Sequence, residues 1–315
     1  MRRERGVALI IALVVVALCT ILATRIGAQG ALSQRRGISL LTQEQEFQLA
    51  LGAEAWAMEI LRDARASSRR DSLDQIWAHC LPPIPVEDGT ISGCIEDMQG
   101  RFNLNNLVNA NGSKNEIAFD QFRRLLQALD LEPKWASQVL DWIDLDNIVD
   151  GIDGAEDSTY LSQQPPYRAA NHLLTSTSEL MALQGFGIER FHRLAPFVAA
   201  LPIGTSINVC TASGVVLDSL APGLSTFNQD PAQLLANRQK GCFPSRSDVV
   251  QALSPLITVP GQLQIIETKN LSESTEWFGA TILVQLPTSE LRLYSLLQRN
   301  PGGFSRVILR TLGTE

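Results

Sequence analysis

Hydrophobic and polar positions change character sharply along the chain. From Val7 to Thr24 (VALIIALVVVALCTILAT) no residue carries a charge. As a helix rising about 1.5 Å per residue, that run matches the thickness of a bilayer core. Gly27, Gly30 and Gly37 then weaken the helix locally, by up to about 1 kcal/mol each relative to Ala. Between Leu40 and Ala66 a helical period returns. Phe47, Leu51, Ala55, Met58 and Leu61 form an apolar stripe, and Glu44, Glu54, Arg62 and Asp63 fall between its positions. Such a stripe predicts an amphipathic helix packed on a sheet.

Further on, Gly89–Leu104 alternates loosely and reads as extended, broken by Gly93 and Gly100. Phe119–Leu129 and Trp135–Ile143 have helical spacing. Glu276–Leu286, Leu291–Gln298 and Ser305–Leu312 read as strands, separated by turn signals at Pro287–Ser289 and Pro301–Gly303. Gln262–Glu267 is a further strand candidate. The pattern predicts an α+β protein, with an antiparallel sheet laid on the long N-terminal helix. Residues 31–109 and 258–315 build that head, and an α-helical domain is inserted at 110–257.

The strongest chemical signal is a run of acids. Asp141, Asp144, Asp146, Asp150, Asp153, Glu156 and Asp157 stand close together with no Lys or Arg among them. Carboxylates at this density repel one another unless solvent or a cation neutralises them. Hard oxygen ligands on a glycine-bent loop select calcium over a soft metal. The loop is not an EF-hand: with Asp144 and Asp146 as first and third ligands, Val149 stands where Gly is needed and Ala155 where a bidentate Glu belongs. A solvated acidic loop between helices is the alternative.

Composition narrows the function classes. Apolar residues make up 45 % of the 315 and charged residues 19 %, as in folded globular proteins. Lys and Arg total 26 against 33 Asp and Glu, a net charge of −7 that argues against a nucleic-acid surface and suits cation capture. His79, His172 and His192 are far apart, and no nucleophile, metalloprotease, phosphate-loop or dinucleotide motif accompanies them. The chain therefore reads as non-catalytic.

The opening MRRERG places Arg2, Arg3 and Arg5 ahead of the apolar run, which predicts a cytoplasmic start and export of the chain beyond Arg25. A cleavable secretory signal is one reading, although its apolar run is usually shorter, about 7–15 residues. Beyond the membrane, Cys80, Cys94, Cys210 and Cys242 are an even set in an oxidising compartment. Neighbour pairing, Cys80–Cys94 and Cys210–Cys242, is preferred among the three connectivities, with four free thiols as the alternative.

A basic hexapeptide ending in Gly6, directly followed by an apolar helix, resembles the leader of type IV prepilins and type II secretion pseudopilins. Ile11 stands at the fifth position after Gly6, where most of that class carries Glu, and this departure resembles the minor pseudopilin K branch. DMQGRFNLNNL (Asp97–Leu107), DWIDLD (Asp141–Asp146), GAEDSTY (Gly154–Tyr160), PPYRAAN (Pro165–Asn171), SEL (Ser178–Leu180) and INVCTAS (Ile207–Ser213) are similar to that family's signatures in the same order. In the last, Cys210 replaces the usual Asn.

The resemblance implies a pilin-like fold and cleavage by a prepilin peptidase between Gly6 and Val7, with methylation of the new end. Residues 7–30 would be the transmembrane part, a single pass in the bacterial inner membrane, with the globular part in the periplasm. It implies structural calcium in the helical domain, with Asp144, Asp146, Glu156 and Asp157 as ligands and Tyr160 and Gly154 shaping the loop. Asp150 and Asp153 are weaker candidates. It also implies a place at the pseudopilus tip, with other minor pseudopilins, the major pseudopilin and secreted substrates as partners, and no nucleic acid. Lacking Glu, the chain cannot offer an earlier subunit's ammonium an ion pair, which suits a first subunit.

A different class of function attaches to Leu180–Leu201 and Ile207–Leu224. Both resemble helix-hairpin-helix modules, which bind DNA backbone through hairpin amides. The basic residues near them, Arg190, Arg193, Arg238 and Lys240, are sparse. A membrane-anchored DNA-uptake module is the alternative reading they raise.

Overall fold

A computed structural model of the chain describes residues 4–222, 226–238, 241–244, 248–249 and 270–313. The expected strand Gln262–Glu267, the expected domain limit at 257 and Lys240 lie outside the described residues. The chain opens with helix α1 (Glu4–Ser67), then strands β1 (Leu81–Val86), β2 (Gly89–Asp97) and β3 (Phe102–Asn103). Helices α2 (Glu116–Ala128), α3 (Trp135–Ile143), α4 (Asp157–Tyr160) and α5 (Gly187–Leu194) come next. Short strands β4 (Val198–Ala199) and β5 (Ile207–Asn208) lead to helices α6 (Gly214–Asp218), α7 (Thr226–Gln229) and α8 (Pro231–Asn237). The described chain closes with β6 (Leu271–Ser272), β7 (Trp277–Leu286), β8 (Ser289–Arg299) and β9 (Ser305–Leu312).

Helix α1 is 64 residues long, about 96 Å at ~1.5 Å per residue. Its first part is apolar all round and exposed: Val7, Leu9, Ile10, Ile11 and Leu13 all lie open. A helix apolar on every side needs an apolar solvent. Among the described residues α1 is the one helix long and apolar enough to cross a membrane. The helix runs unbroken through Gly27, Gly30 and Gly37, at a local cost of up to about 1 kcal/mol each relative to Ala.

Beyond Gln45 one side of α1 lies on a five-stranded antiparallel sheet of order β1-β2-β7-β8-β9. Alternate residues of β7 (Phe278, Ala280, Ile282, Val284) and β8 (Leu293, Leu297) are buried toward it, the period of two expected of a one-sided sheet. Leu61 packs with Trp77, Phe278, Ala280 and Leu297, and Ala50 with Ile282, Val284 and Leu293.

The stripe that meets the sheet is Glu46, Ala50, Glu54, Ala57 and Leu61, which corrects the reading of Phe47, Leu51, Ala55 and Met58. Ala55 is exposed, and the other three are only half-buried on the flanks. Alanines let the helix backbone approach the sheet, so larger residues are pushed aside. Glu54 can lie under the sheet because Ser295 Oγ donates to it at 2.5 Å and Arg310 Nε and Nη2 reach it at 2.8 and 2.7 Å.

The described helices after α1 share one apolar core with Leu104, Leu107, Leu174, Leu180 and Val209. Phe102 stacks on Phe122 of α2 with ring centroids 5.3 Å apart. Residues 102–108, read from sequence as part of the head, therefore pack inside the helical unit. Strand pairs β3–β4 and β5–β6, both parallel, tie the unit's chain ends together.

Candidate metal centre

Helix α3 stops at Ile143, where Asp144 turns to extended backbone (φ −72°, ψ 171°) while its N–H still reaches Leu140 O at 2.9 Å. Asp141, in the last turn, is fully buried. Its carboxylate accepts from Asp150 N at 3.0 Å and from Ala155 N at 2.7 Å, drawing both limbs of the acidic loop onto the helix end. Gly154 makes that approach possible, since a Cβ there would lie 2.2 Å from Asp141 Oδ2 and 2.8 Å from Asp150 N.

Folded this way, the loop brings oxygens of Asp141, Asp144 and Glu156 within 4.8 Å of one another. Glu156 is 2 % exposed, and neither of its carboxylate oxygens has a hydrogen-bond partner; Asp144 Oδ1 is buried and unpartnered as well. Asn171 Oδ1 and the Tyr160 hydroxyl are two more buried oxygens without partners. The Tyr160 ring sits 5.1 Å from Trp142 and 5.2 Å from Tyr167.

Burying an unpaired carboxylate costs several kcal/mol. Burial, followed by repulsion from Asp141 and Asp144, pushes Glu156 up to about 7. Burial and then Asp146 push Asp144 up to about 6, and burial raises Asp141 to about 6 against its two backbone donors. These orphaned oxygens fit a hard divalent cation, which takes six to eight oxygen ligands at roughly 2.3–2.6 Å. The donor set holds no thiol or imidazole, so it does not suit zinc.

The remaining expected residues divide. Asp146 and Asp157 do not join the close triad; Asp146 Oδ1 accepts from Ile148 N at 2.8 Å and Asp157 Oδ1 from Ala169 N at 3.1 Å. Asp157 also lies 3.4 Å from Arg168. Asp146 still acts on the triad through space, as a like charge that raises Asp144 and Glu156. Asp150 is paired with Lys114 at 3.0 Å and takes a hydrogen bond from Ser137. Sequence reasoning left Asp141 out of the ligand set, although its spacing of three from Asp144 at a helix end puts both on one face.

Elsewhere, Cys80 is bonded to Cys94 and Cys210 to Cys242. Gly6 and Val7 lie within α1. The three histidines are exposed, and none joins the acidic triad. Of the basic residues near the segments that resemble DNA-binding hairpins, Arg190 donates to the carbonyls of Gly185 and Phe186, and buried Arg238 to those of Val209 and Ala212. Their guanidiniums thus serve the chain's own backbone.

Residues 100–203 match the family described as type II secretion system (T2SS), protein K. Type II secretion system protein K of Pseudomonas aeruginosa is 35 % identical over 326 residues, covering 99 % of this chain and 94 % of that protein. Its counterpart from Klebsiella pneumoniae is 34 % identical, covering 99 % of this chain and 97 % of that protein. Among solved structures, a chain from the crystal structure of the GspK-GspI-GspJ complex of the enterotoxigenic Escherichia coli type 2 secretion system superposes with a TM-score of 0.77. It is 26 % identical and covers 89 % of this chain and 100 % of that one. With identity of this order sustained over nearly the whole length, and with the same fold, the chain belongs to the type II secretion system protein K family.

Proposed function

We propose that the chain is a non-catalytic minor pseudopilin at the tip of the type II secretion pseudopilus, where it starts or caps assembly for protein export across the outer membrane. Likeness to protein K along nearly the full length carries this reading. Helix α1 supports it, being one rod that begins exposed and apolar and ends under the sheet of the head. On this reading a prepilin peptidase cuts between Gly6 and Val7 and the new end is methylated. Val7–Thr24 stays in the inner membrane as a single pass, with the head in the periplasm. The solved relative was crystallised as a GspK-GspI-GspJ complex. By that likeness this chain joins other minor pseudopilins, followed by the major pseudopilin, and it meets secreted substrates at the tip.

Calcium is the structural cofactor in this proposal. Asp144 and Glu156 hold it, with Asp141 beside them and Gly154 and Tyr160 shaping the pocket. Bound, it supplies the positive charge that these carboxylates lack, and it stabilises the folded head by mass action. Asp141 draws the loop onto the end of α3 through Asp150 N and Ala155 N.

The test is the intact mass and N-terminal sequence of the chain from a host with prepilin peptidase. A mature protein starting at Val7 and recovered with membranes is expected, and Gly6→Ala leaves the chain unprocessed. A soluble product starting beyond Thr24 would overturn the reading.

A further inference from the structure

Two sequence signatures that the metal centre does not use, Asp97–Leu107 and Ile207–Ser213, meet on one buried carboxylate. Asp97 closes β2 and is 7 % exposed. Its Oδ1 accepts from Gln99 N at 2.7 Å. Its Oδ2 accepts from Asn208 Nδ2 at 2.7 Å, Thr211 Oγ1 at 2.6 Å and Thr275 Oγ1 at 2.6 Å. Asp97 belongs to the head, Asn208 and Thr211 to the helical unit, and Thr275 to the chain returning into β7. Gly100 provides the room, because a Cβ there would lie 2.9 Å from Thr211 Oγ1 and 3.3 Å from the Thr211 carbonyl carbon.

The same bonds continue into α1. Asn208 Nδ2 also donates to Asp71 O at 2.9 Å, Asp71 Oδ2 accepts from Thr275 N at 2.8 Å and from Arg299 at 2.5 Å, and Arg299 donates to Leu61 O at 3.3 Å. Asp71 and Arg299 are both buried. The apolar contact beside this network is small, formed by Met98 and Trp277 from the head with Ala199 and Leu201 from the helical unit. Apolar contact has no preferred direction. Hydrogen bonds do, and a buried carboxylate whose donors come from separate segments holds them at one angle.

We propose that Asp97, with Gly100, Asn208, Thr211 and Thr275, is an orientation clamp that fixes the angle of the helical unit on the head. These are positioning residues, and none of them belongs to the acidic triad.

Spin labels on α1 and α2 read that angle. Arg62→Cys and Arg123→Cys are exposed positions, and a Cys19→Ser background removes the one free thiol among the described residues. In the full chain in detergent, one narrow distance peak is expected. Thr211→Val should lose that peak while far-UV circular dichroism is retained, and Thr211→Ser, which keeps the hydroxyl, should restore it. A narrow peak that survives Thr211→Val combined with Gly100→Ala would overturn the proposal, and so would a broad distribution for Thr211→Ser. Should Thr211→Val fail to fold, Gly100→Ala alone presses a Cβ against the Thr211 hydroxyl and carbonyl carbon, and it should broaden the peak; a narrow peak that survives it overturns the proposal.

Discussion

At the scale of single residues, the acidic loop is a balance between burial and repulsion. Asp144 and Glu156 have folded-state values above those of the unfolded chain, about 6 and about 7. Without metal, the folded chain binds more protons than the unfolded chain between roughly pH 4 and 7, so its stability falls as pH rises through that window. Thermal melts in chelator should therefore show a higher Tm near pH 5 than near pH 7.5, and calcium affinity should weaken over the same fall in pH as protons compete. Glu156→Gln removes a buried unpaired charge. It should raise the Tm of the metal-free chain and abolish the rise that calcium gives the unaltered one. Identical melts with and without calcium in the unaltered chain would remove the ion from the account. Asp144, Asp146 and Glu156 could be read as an acid cluster from sequence. That Asp141 rather than Asp146 stands within 4.8 Å of the other two could not, since it depends on the loop folding back onto the end of α3.

At the scale of elements, helix α1 shows where periodicity misleads. Phe47, Leu51 and Met58 repeat as faithfully as the alanines one position away, and only contact with β7 and β8 selects Ala50 and Ala57. Glu54 goes under the sheet with them because Arg310 lies within reach there. Glu54→Ala should lower stability by about 1.5–3 kcal/mol, the usual worth of hydrogen bonds to a charged group, in urea unfolding. Strand β1 escaped notice because LPPIPV is poor in strand formers and lacks three N–H groups. At the sheet edge those donors are not needed, and Asp88 (φ 64°) ahead of Gly89 makes the tight return into β2. The helical unit depends on its crosslink. Cys210 and Cys242 close a loop with a separation of 32, and replacing both with Ser should cost about 3–4 kcal/mol in the loop-entropy account. An unchanged unfolding midpoint would show the bond to be dispensable.

For the whole molecule, the membrane end and the head make opposite demands on one helix. The exposed apolar stretch of α1 needs lipid or neighbouring helices, while the sheet and helical unit bury the other end. Ile11 gives a test of the tip placement. If the proposed tip placement holds, no subunit sits above it, and Ile11→Glu leaves a carboxylate in the apolar layer with nothing to pair, at a cost of roughly 2–3 kcal/mol on insertion scales. The amount of minor-pseudopilin complex recovered from membranes should fall. A stronger complex would mean that another subunit sits above this chain.

The sequence alone determined what is local: an uncharged span long enough for a bilayer, strands bounded by Pro and Gly, α2 and α3, and the acidic loop. Each depends on residues within a turn or a hairpin of one another, so composition and period carry the signal. Only the tertiary structure decided which face of α1 is buried, that Asp141 rather than Asp146 stands with Asp144 and Glu156, and that Asp97 meets Thr211. These outcomes rest on which distant groups arrive at a buried position. Burial makes an unpaired charge costly and a paired one tolerable, and no spacing along the chain records who the partner will be.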